Sequence, residues 1–156
     1  MKIRMCREED VDAVRRFVER TRPLDLHSPF TYWVLLRYFP ETCFIMEDGE
    51  KVVGFISGVT SSRERDLFYL WQIGIDPGLR GKGYAERLIH RILDAAREKG
   101  CRRLQVTIAP DNPASLKAFS RFASNSGLTM ERVGAADFFD SISGKRYFED
   151  IYEMRI

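Results

Sequence analysis

Leu67-Phe68-Tyr69-Leu70-Trp71-Gln72-Ile73-Gly74-Ile75-Asp76-Pro77-Gly78-Leu79-Arg80-Gly81-Lys82-Gly83-Tyr84-Ala85 passes from an apolar run into a glycine-bearing, cationic loop. Leu67 to Ile75 is apolar at nearly every position, the pattern of a central strand covered on both faces. Asp76-Pro77-Gly78 stops it, and a helix is expected from about Lys82 to Lys99, ended by Gly100. Ala85, Leu88, Ile89, Ile92, Leu93 and Ala96 fall on one stripe of that helix, while Glu86, His90, Asp94 and Arg97 face away. Arg103 to Ala109 reads as the next buried strand, so strand, loop, helix and strand form a parallel βαβ crossover. Glycines at Gly81 and Gly83 leave the backbone open, and amide N–H groups at a helix N-terminus converge on phosphate, with Arg80 and Lys82 adding positive charge. The same glycines would serve equally well merely to turn the chain. A Walker loop and a GxGxxG dinucleotide loop are both excluded by spacing.

Outward from this centre the chain alternates short helical and β-rich pieces. Lys2 to Cys6 alternates as a strand, and Glu8-Glu9-Asp10 puts negative charge before a helix that turns Val11, Val14, Phe17 and Val18 inward. Ser28-Pro29 reads as an N-cap with proline at the first helical position, opening a helix to about Tyr38. Thr42 to Glu47 and Lys51 to Ser61 flank a hairpin signal at Asp48-Gly49. Ala114 to about Ser124 is helical, and Thr129 to Val133 with Tyr147 to Ile156 reads as an antiparallel pair. One mixed α/β domain over residues 1–156 follows.

Composition removes several classes of function. Lys and Arg number 25 against 23 Asp and Glu, a net charge of +2, and the longest basic run is Arg102-Arg103, so no nucleic-acid partner is expected. No apolar run approaches the roughly 20 residues of a membrane span, and the first ten residues hold no signal-peptide core, so a cytoplasmic protein without a membrane partner is expected. Cys6, Cys43 and Cys101 lack CxxC spacing, and His27 and His90 lie far apart, so the expectation is free thiols and no metal.

The cationic loop, Arg80-Gly81-Lys82-Gly83-Tyr84-Ala85 after a hydrophobic-Asp-Pro turn, resembles the acetyl-CoA loop of the GNAT N-acetyltransferases, and the order of elements agrees over essentially the whole chain. The resemblance implies a GNAT fold with a mixed central sheet flanked by helices. It also implies acetyl-CoA as co-substrate, its pyrophosphate on the amides of Gly81, Lys82, Gly83, Tyr84 and Ala85 beside Arg80, and its pantetheine along the backbones of Ile73 and Ile75. Asp111-Asn112-Pro113-Ala114-Ser115 resembles the family's second cofactor contact and implies Asn112, with Ser115 beside it. Seven residues beyond that Asn, the family commonly has a Tyr that protonates the leaving thiolate; here the position along the cofactor is Phe119. A phenyl ring donates no proton. Tyr32, Tyr69 or Tyr84 would have to do so, or the thiolate leaves to solvent.

Pro23-Leu24-Asp25-Leu26-His27-Ser28, Thr42-Cys43, Gly54-Phe55-Ile56-Ser57-Gly58, Trp71-Gln72, Thr107 and Pro110-Asp111-Asn112 are similar to the diaminobutyrate acetyltransferases of ectoine biosynthesis, a subgroup in which Phe at the Tyr position is usual. His27 for Asn, Phe30 for Tyr, Ala109 for Thr and a short N-terminus depart from that pattern. The subgroup implies a homodimer and a small diamino acid substrate.

A diamino acid needs an anionic partner and a pocket fitted to a short chain. Asp25, Glu149 and Asp150 are the candidate acids, with Phe30 and Trp71 as candidate walls. Each acid has a solvated surface charge as its alternative, and Trp71 a place in the core. His27 is either a base or an exposed residue near a helix start. Direct transfer to a primary amine is expected, with the Ile73 amide polarising the thioester carbonyl. The base is left open between Glu149, Asp25 and desolvation of the amine. Transfer to another amine and acetyl-CoA binding without catalysis are the competing functions.

Overall fold

The computed structural model describes residues 1–156. The elements are β1 (Lys2–Met5), α1 (Val11–Arg20), α2 (Pro29–Tyr38), β2 (Cys43–Asp48), β3 (Lys51–Thr60), β4 (Leu67–Ile75), α3 (Tyr84–Glu98), β5 (Arg103–Ile108), α4 (Pro113–Asn125), β6 (Met130–Asp140) and β7 (Lys145–Arg155). One seven-stranded sheet runs in the order β1-β2-β3-β4-β5-β7-β6. Every neighbouring pair is antiparallel except β4 and β5, which the βαβ crossover through α3 makes parallel.

Alternation along the strands divides the core between the two faces. Leu88, Ile89, Ile92 and Leu93 of α3 and Phe119 and Phe122 of α4 pack with Phe68, Leu70, Leu104, Val106 and Met154 of the sheet. On the other face, Val14, Phe17 and Val18 of α1 and Tyr32, Leu35 and Leu36 of α2 pack with Ile45 and Phe55. Helices α1 and α2 therefore cover this second face over β2 and β3, but no helix covers the same face of β5 and β7. At the sheet edge Arg4 links β1 to β2 and to the turn before α1, reaching Glu47 at 2.8 Å and Asp10 at 2.7 Å. That guanidinium holds the Asp10 carboxyl below the usual carboxylate range.

Three sequence expectations change. Helix α3 starts at Tyr84 instead of Lys82, because Gly83 is left-handed at φ +82 and stands outside the helix as its N-cap. Strands β6 and β7 are longer than read, reaching Asp140 and starting at Lys145 around a turn in which Asp140 accepts from the N–H groups of Ile142 and Ser143. Gly134-Ala135-Ala136 hides that length from sequence, and Val133 is an extra residue between the Arg132–Tyr152 and Gly134–Ile151 pairs. Finally, β4 is not covered throughout: Trp71 is 38% exposed.

That exposure has a local cause. Ser57 faces Gln72 and Gly58 faces Leu70, which leaves Trp71 without a partner on β3. The bulge shifts the alternation: Phe68 and Leu70 point to the α3 face, whereas Gln72 two residues further on points to the α2 face. Gly58 permits this close passage, since a Cβ there would lie 2.4 Å from Phe68 Cε1 and 2.6 Å from the Tyr69 carbonyl oxygen. Gly58→Ala should therefore cost about 1–3 kcal/mol and lower the melting temperature by several degrees in a thermal scan.

Candidate active site

The slot begins where β4 and β5 part. Their ladder runs only from the Leu67–Arg103 pair to the Leu70–Val106 pair, although β4 continues to Ile75 and β5 to Ile108. On its other edge β4 stays paired with β3 as far as Ile75. Asp76 N–H donates to the Val53 carbonyl at 2.8 Å while Ile75 lies opposite Gly54, which marks that pair as a non-hydrogen-bonded one. The backbone groups of Ile75, and two residues earlier those of Ile73, therefore point away from β3 into the gap. Ile75 O accepts from Arg80 Nε at 3.3 Å. No strand pairs with the Ile73 N–H and C=O.

At the mouth of the gap lies the glycine loop. Gly81 and Gly83 have φ of +75 and +82, and no atom stands within 4 Å of where a Cβ would be on either. The N-cap glycine has no side chain to satisfy the first turn of α3, so its leading N–H groups stay open to a ligand. The loop is held from below: Asp76 Oδ1 accepts from Gly78 N–H, Lys82 Nζ donates to Gly78 O, and Arg80 Nη2 donates to Arg22 O. Tyr84 leads the helix with the Arg87 guanidinium over its ring.

Asn112 is the N-cap of α4, its Oδ1 accepting from Ser115 N–H at 3.2 Å. That leaves its Nδ2 as the free group, while Ser115 stands in the first turn. Phe119 is 2% exposed and belongs to the apolar core beside β5, so it backs the slot rather than lining it openly.

The uncovered face of β4, β5 and β7 forms a cleft. Tyr69, between Phe68 and Leu70, and Thr107, between Val106 and Ile108, point to it, and their hydroxyls are 2.8 Å apart. On β7, Met154 and Tyr152 pack on the α3 side, so Ile151 and Glu149 face the cleft. Burial, then the charges of Asp25 and Asp111, push the Glu149 carboxyl up from the usual carboxylate range. Asp25, exposed on its loop, is near enough for its charge to act on Glu149, although the two come from opposite ends of the chain. Gln72 anchors the loop that carries Asp25, donating from Nε2 to the Asp25 carbonyl at 2.7 Å while its Oε1 accepts from the Tyr32 hydroxyl at 3.2 Å. Trp71 and the half-buried His27 pack with ring centroids 5.5 Å apart, with Tyr32 on the far side of His27 at 6.0 Å. His27 is therefore part of an aromatic wall and not the exposed residue that its place before a helix suggests.

Three sequence expectations fail on geometry. Asp150 does not join Glu149: successive strand residues face opposite ways, and Asp150 is paired with Arg132 at 2.6 Å. Phe30 is 74% exposed and packs edge-on against Trp33, three residues on, which is tied to Glu8; the cleft-facing residue of α2 is Tyr32, on the other side of the helix. Tyr32 itself is fully buried with its hydroxyl committed to Gln72, which removes it as a proton donor. Residue patterns assign no role to Gln72 or Thr107. The signal was present for Gln72, the single amide side chain in the apolar run of β4.

The acetyltransferase (GNAT) family profile matches residues 7–123. The chain is 38% identical over 128 residues to an L-2,4-diaminobutyric acid acetyltransferase of Streptomyces coelicolor, spanning 81% of this chain and 75% of that protein. Its likeness to the same enzyme of Nocardia farcinica is 32% over 147 residues, 93% of this chain and 75% of the relative. In structure it is similar to the diaminobutyrate acetyltransferase of Paenibacillus lautus, solved with L-2,4-diaminobutyric acid and coenzyme A. That match has a TM-score of 0.85 and 27% identity, and covers 99% of this chain and 93% of the other. The family match runs unbroken across the parted strands and the glycine loop, and the chain belongs to the GNAT family of acetyltransferases, which take their acetyl group from acetyl-CoA.

Proposed function

We propose that this enzyme transfers the acetyl group of acetyl-CoA to N4 of L-2,4-diaminobutyrate, the acetylation step of ectoine biosynthesis, by direct attack within a ternary complex. The observation that carries the reading is the convergence of Asp25 and Glu149 on one cleft beside the open edge of β4. Diaminobutyrate carries two ammonium groups when both amines are protonated, and the partly buried Glu149 with the exposed Asp25 at its side offsets their desolvation. Trp71 and His27 pack together as an aromatic wall, which in this reading lies against the short carbon chain.

In this reading the acetyl-CoA pyrophosphate rests on the amides from Gly81 to Ala85 with Arg80 and Lys82 alongside, and the pantetheine pairs with Ile73 and Ile75 as an added strand. Asn112 Nδ2 and Ser115 meet it from the start of α4. The Ile73 N–H, held in the sheet and aimed into the gap, polarises the thioester carbonyl without needing to move. Glu149 serves as the base: its raised affinity for a proton suits it to take one from the amine, where an ordinary exposed carboxylate is too weak a base.

The protein is proposed to be a cytoplasmic homodimer. No helix is long and apolar enough to cross a membrane. The β6–β7 hairpin runs on past the last β5 pair at Asp150 and exposes Phe138, Phe139, Ile142, Tyr147 and Phe148, a surface suited to covering by a second copy.

Gly83→Asp adds bulk and negative charge at the pyrophosphate and imposes a left-handed conformation on an aspartate, so the acetyl-CoA KM should rise about tenfold or more, or roughly 1.4 kcal/mol; steady-state kinetics with acetyl-CoA varied will read it.

In wild type, kcat/KM for the amine should fall as pH drops through the raised Glu149 pKa and that carboxylate is protonated. Glu149→Gln should lose about a hundredfold in kcat and this acidic limb with it, whereas Trp71→Ala should act on the amine KM and keep the limb. A pH series of initial rates for the three proteins checks both.

A panel of amines tests the substrate. One methylene fewer leaves the second nitrogen about 1.3 Å short and one more overshoots equally, a displacement worth about a hundredfold. Diaminobutyrate should exceed 2,3-diaminopropionate and ornithine in kcat/KM, and NMR of the product should show acetyl on N4. A winning polyamine or peptide, or acetyl on the α-nitrogen, overturns the substrate and leaves the acetyl transfer standing.

A further inference from the structure

Collapse of the tetrahedral intermediate puts an electron pair on the CoA sulfur, and a proton must reach it. The phenyl ring of Phe119 has none to give and is buried in the core. Of the tyrosines near the slot, Tyr32 is closed off by Gln72, and Tyr84 lies at the loop end with Arg87 over its ring. Tyr69 is differently placed. Its residue lies one position before the last β4–β5 rung, Leu70 with Val106, and its hydroxyl leans forward to meet that of Thr107, the first β5 residue beyond that rung. The two hydroxyls, 2.8 Å apart, span the strands at the apex of the gap, on the cleft side. A chain that enters from the glycine loop and pairs with Ile75 and Ile73 runs toward this apex and ends there. Its terminal thioester then lies beside the hydroxyl pair.

We propose that Tyr69, oriented by Thr107 at the point where β4 and β5 separate, is the catalytic acid that protonates the departing CoA thiolate. The inference rests on the acetyl-transfer reading of this cleft. The steps balance within the site. The amine nitrogen lone pair forms the C–N bond, and the C–S bond breaks with its pair on sulfur. The Tyr69 O–H proton goes to sulfur, giving the free thiol. The ammonium proton first leaves through Glu149 to solvent; after attack Glu149 takes the second proton lost by nitrogen and returns it to the Tyr69 oxygen, so both side chains end in their starting states. Burial holds the Tyr69 hydroxyl in its protonated form, opposed by the Thr107 bond and reinforced by the charge of Glu149. Asp25 and Asp111 are the other charged groups acting on Glu149 in this cleft.

Tyr69→Phe keeps the ring and removes the proton. It should lower kcat about a hundredfold, with the KM of each substrate and the acetyl-CoA Kd within about threefold. 3-Fluorotyrosine at position 69, a more acidic phenol of nearly the same shape, should retain kcat within about threefold and move the basic limb of the rate profile to lower pH. Tyr69→Phe should lack that limb. The amine used is whichever one wild type turns over best, so a different preferred substrate alters the Proposed function and not this test. Full kcat in Tyr69→Phe, a loss confined to the amine KM, or a basic limb that ignores fluorination overturns the assignment. A wild-type protein that acetylates no amine overturns both.

Discussion

The site depends on a single missing ladder. Between Leu70–Val106 and the ends of β4 and β5, two parallel neighbours that share a sheet, a crossover and a core cease to hydrogen-bond. Backbone N–H and C=O groups left without partners in a covered region are costly unless something pairs with them. Here β3 keeps one edge of β4 in place and the unpaired edge is turned to the gap, so the unsatisfied groups of Ile73 become a preformed template for an extended ligand. In the proposed function the pairing lost in folding is recovered on binding, which would tie affinity for the acyl donor to the same backbone that orients its carbonyl.

Gln72 converts that strand geometry into a second, side-chain geometry. The bulge at Trp71 turns Gln72 to the α2 face, where its amide is 6% exposed and satisfied at both ends. One end reaches the Tyr32 hydroxyl on α2, the other the backbone at Asp25. Gly74, two residues on, leaves room for Leu24 of the same loop: a Cβ there would stand 2.5 Å from Leu24 Cδ1. The acid-bearing loop is thus pinned to β4 by one polar and one apolar contact within three residues of Ile73. In the proposed function the donor and acceptor sides of the reaction would then share one strand as their common reference, so that a shift of β4 moves both together.

How much of this was legible in the sequence follows from the range of each interaction. Leu67–Ile75 and the Ser28 cap with Pro29 after it were readable residue by residue, because apolar runs and caps are local signals. The start of α3 was misplaced by two residues, since the left-handed state of Gly83 depends on the loop around it. Among the candidate site residues, the glycine loop is marked in the sequence by spacing, and Asp25 and Glu149 by chemistry combined with resemblance. Asp150 and Phe30 went astray for the same reason: each is adjacent or nearly so in sequence to a cleft residue, and side-chain direction reverses over one strand residue or two helix residues. Tyr69 stood among three candidate donors and Thr107 among the subgroup residues, but their pairing was out of reach, because it joins two strands 38 residues apart.

The electrostatics of the cleft set an order for its chemistry. The charges of Asp25 and Asp111 bear on Glu149, and no cation of the protein is paired to it. Burial first, and then these like charges, hold its proton more tightly than an isolated carboxylate would. In the proposed function an incoming diammonium substrate would reverse that balance: its positive charges stabilise Glu149 as an anion and so restore it as a base when there is an amine to deprotonate. The same field weakens binding of anions and monoamines, which bring too little positive charge to offset three carboxylates. Charge therefore favours the doubly protonated form on entry, while attack requires one nitrogen to give up its proton. The one acid whose pKa is pushed toward that task lies on β7, whose partner β5 flanks the slot. In the proposed function the proton transfer that activates the amine thus rests on this half-buried carboxylate, while the exposed Asp25 and Asp111 add to the charge that favours a diammonium substrate.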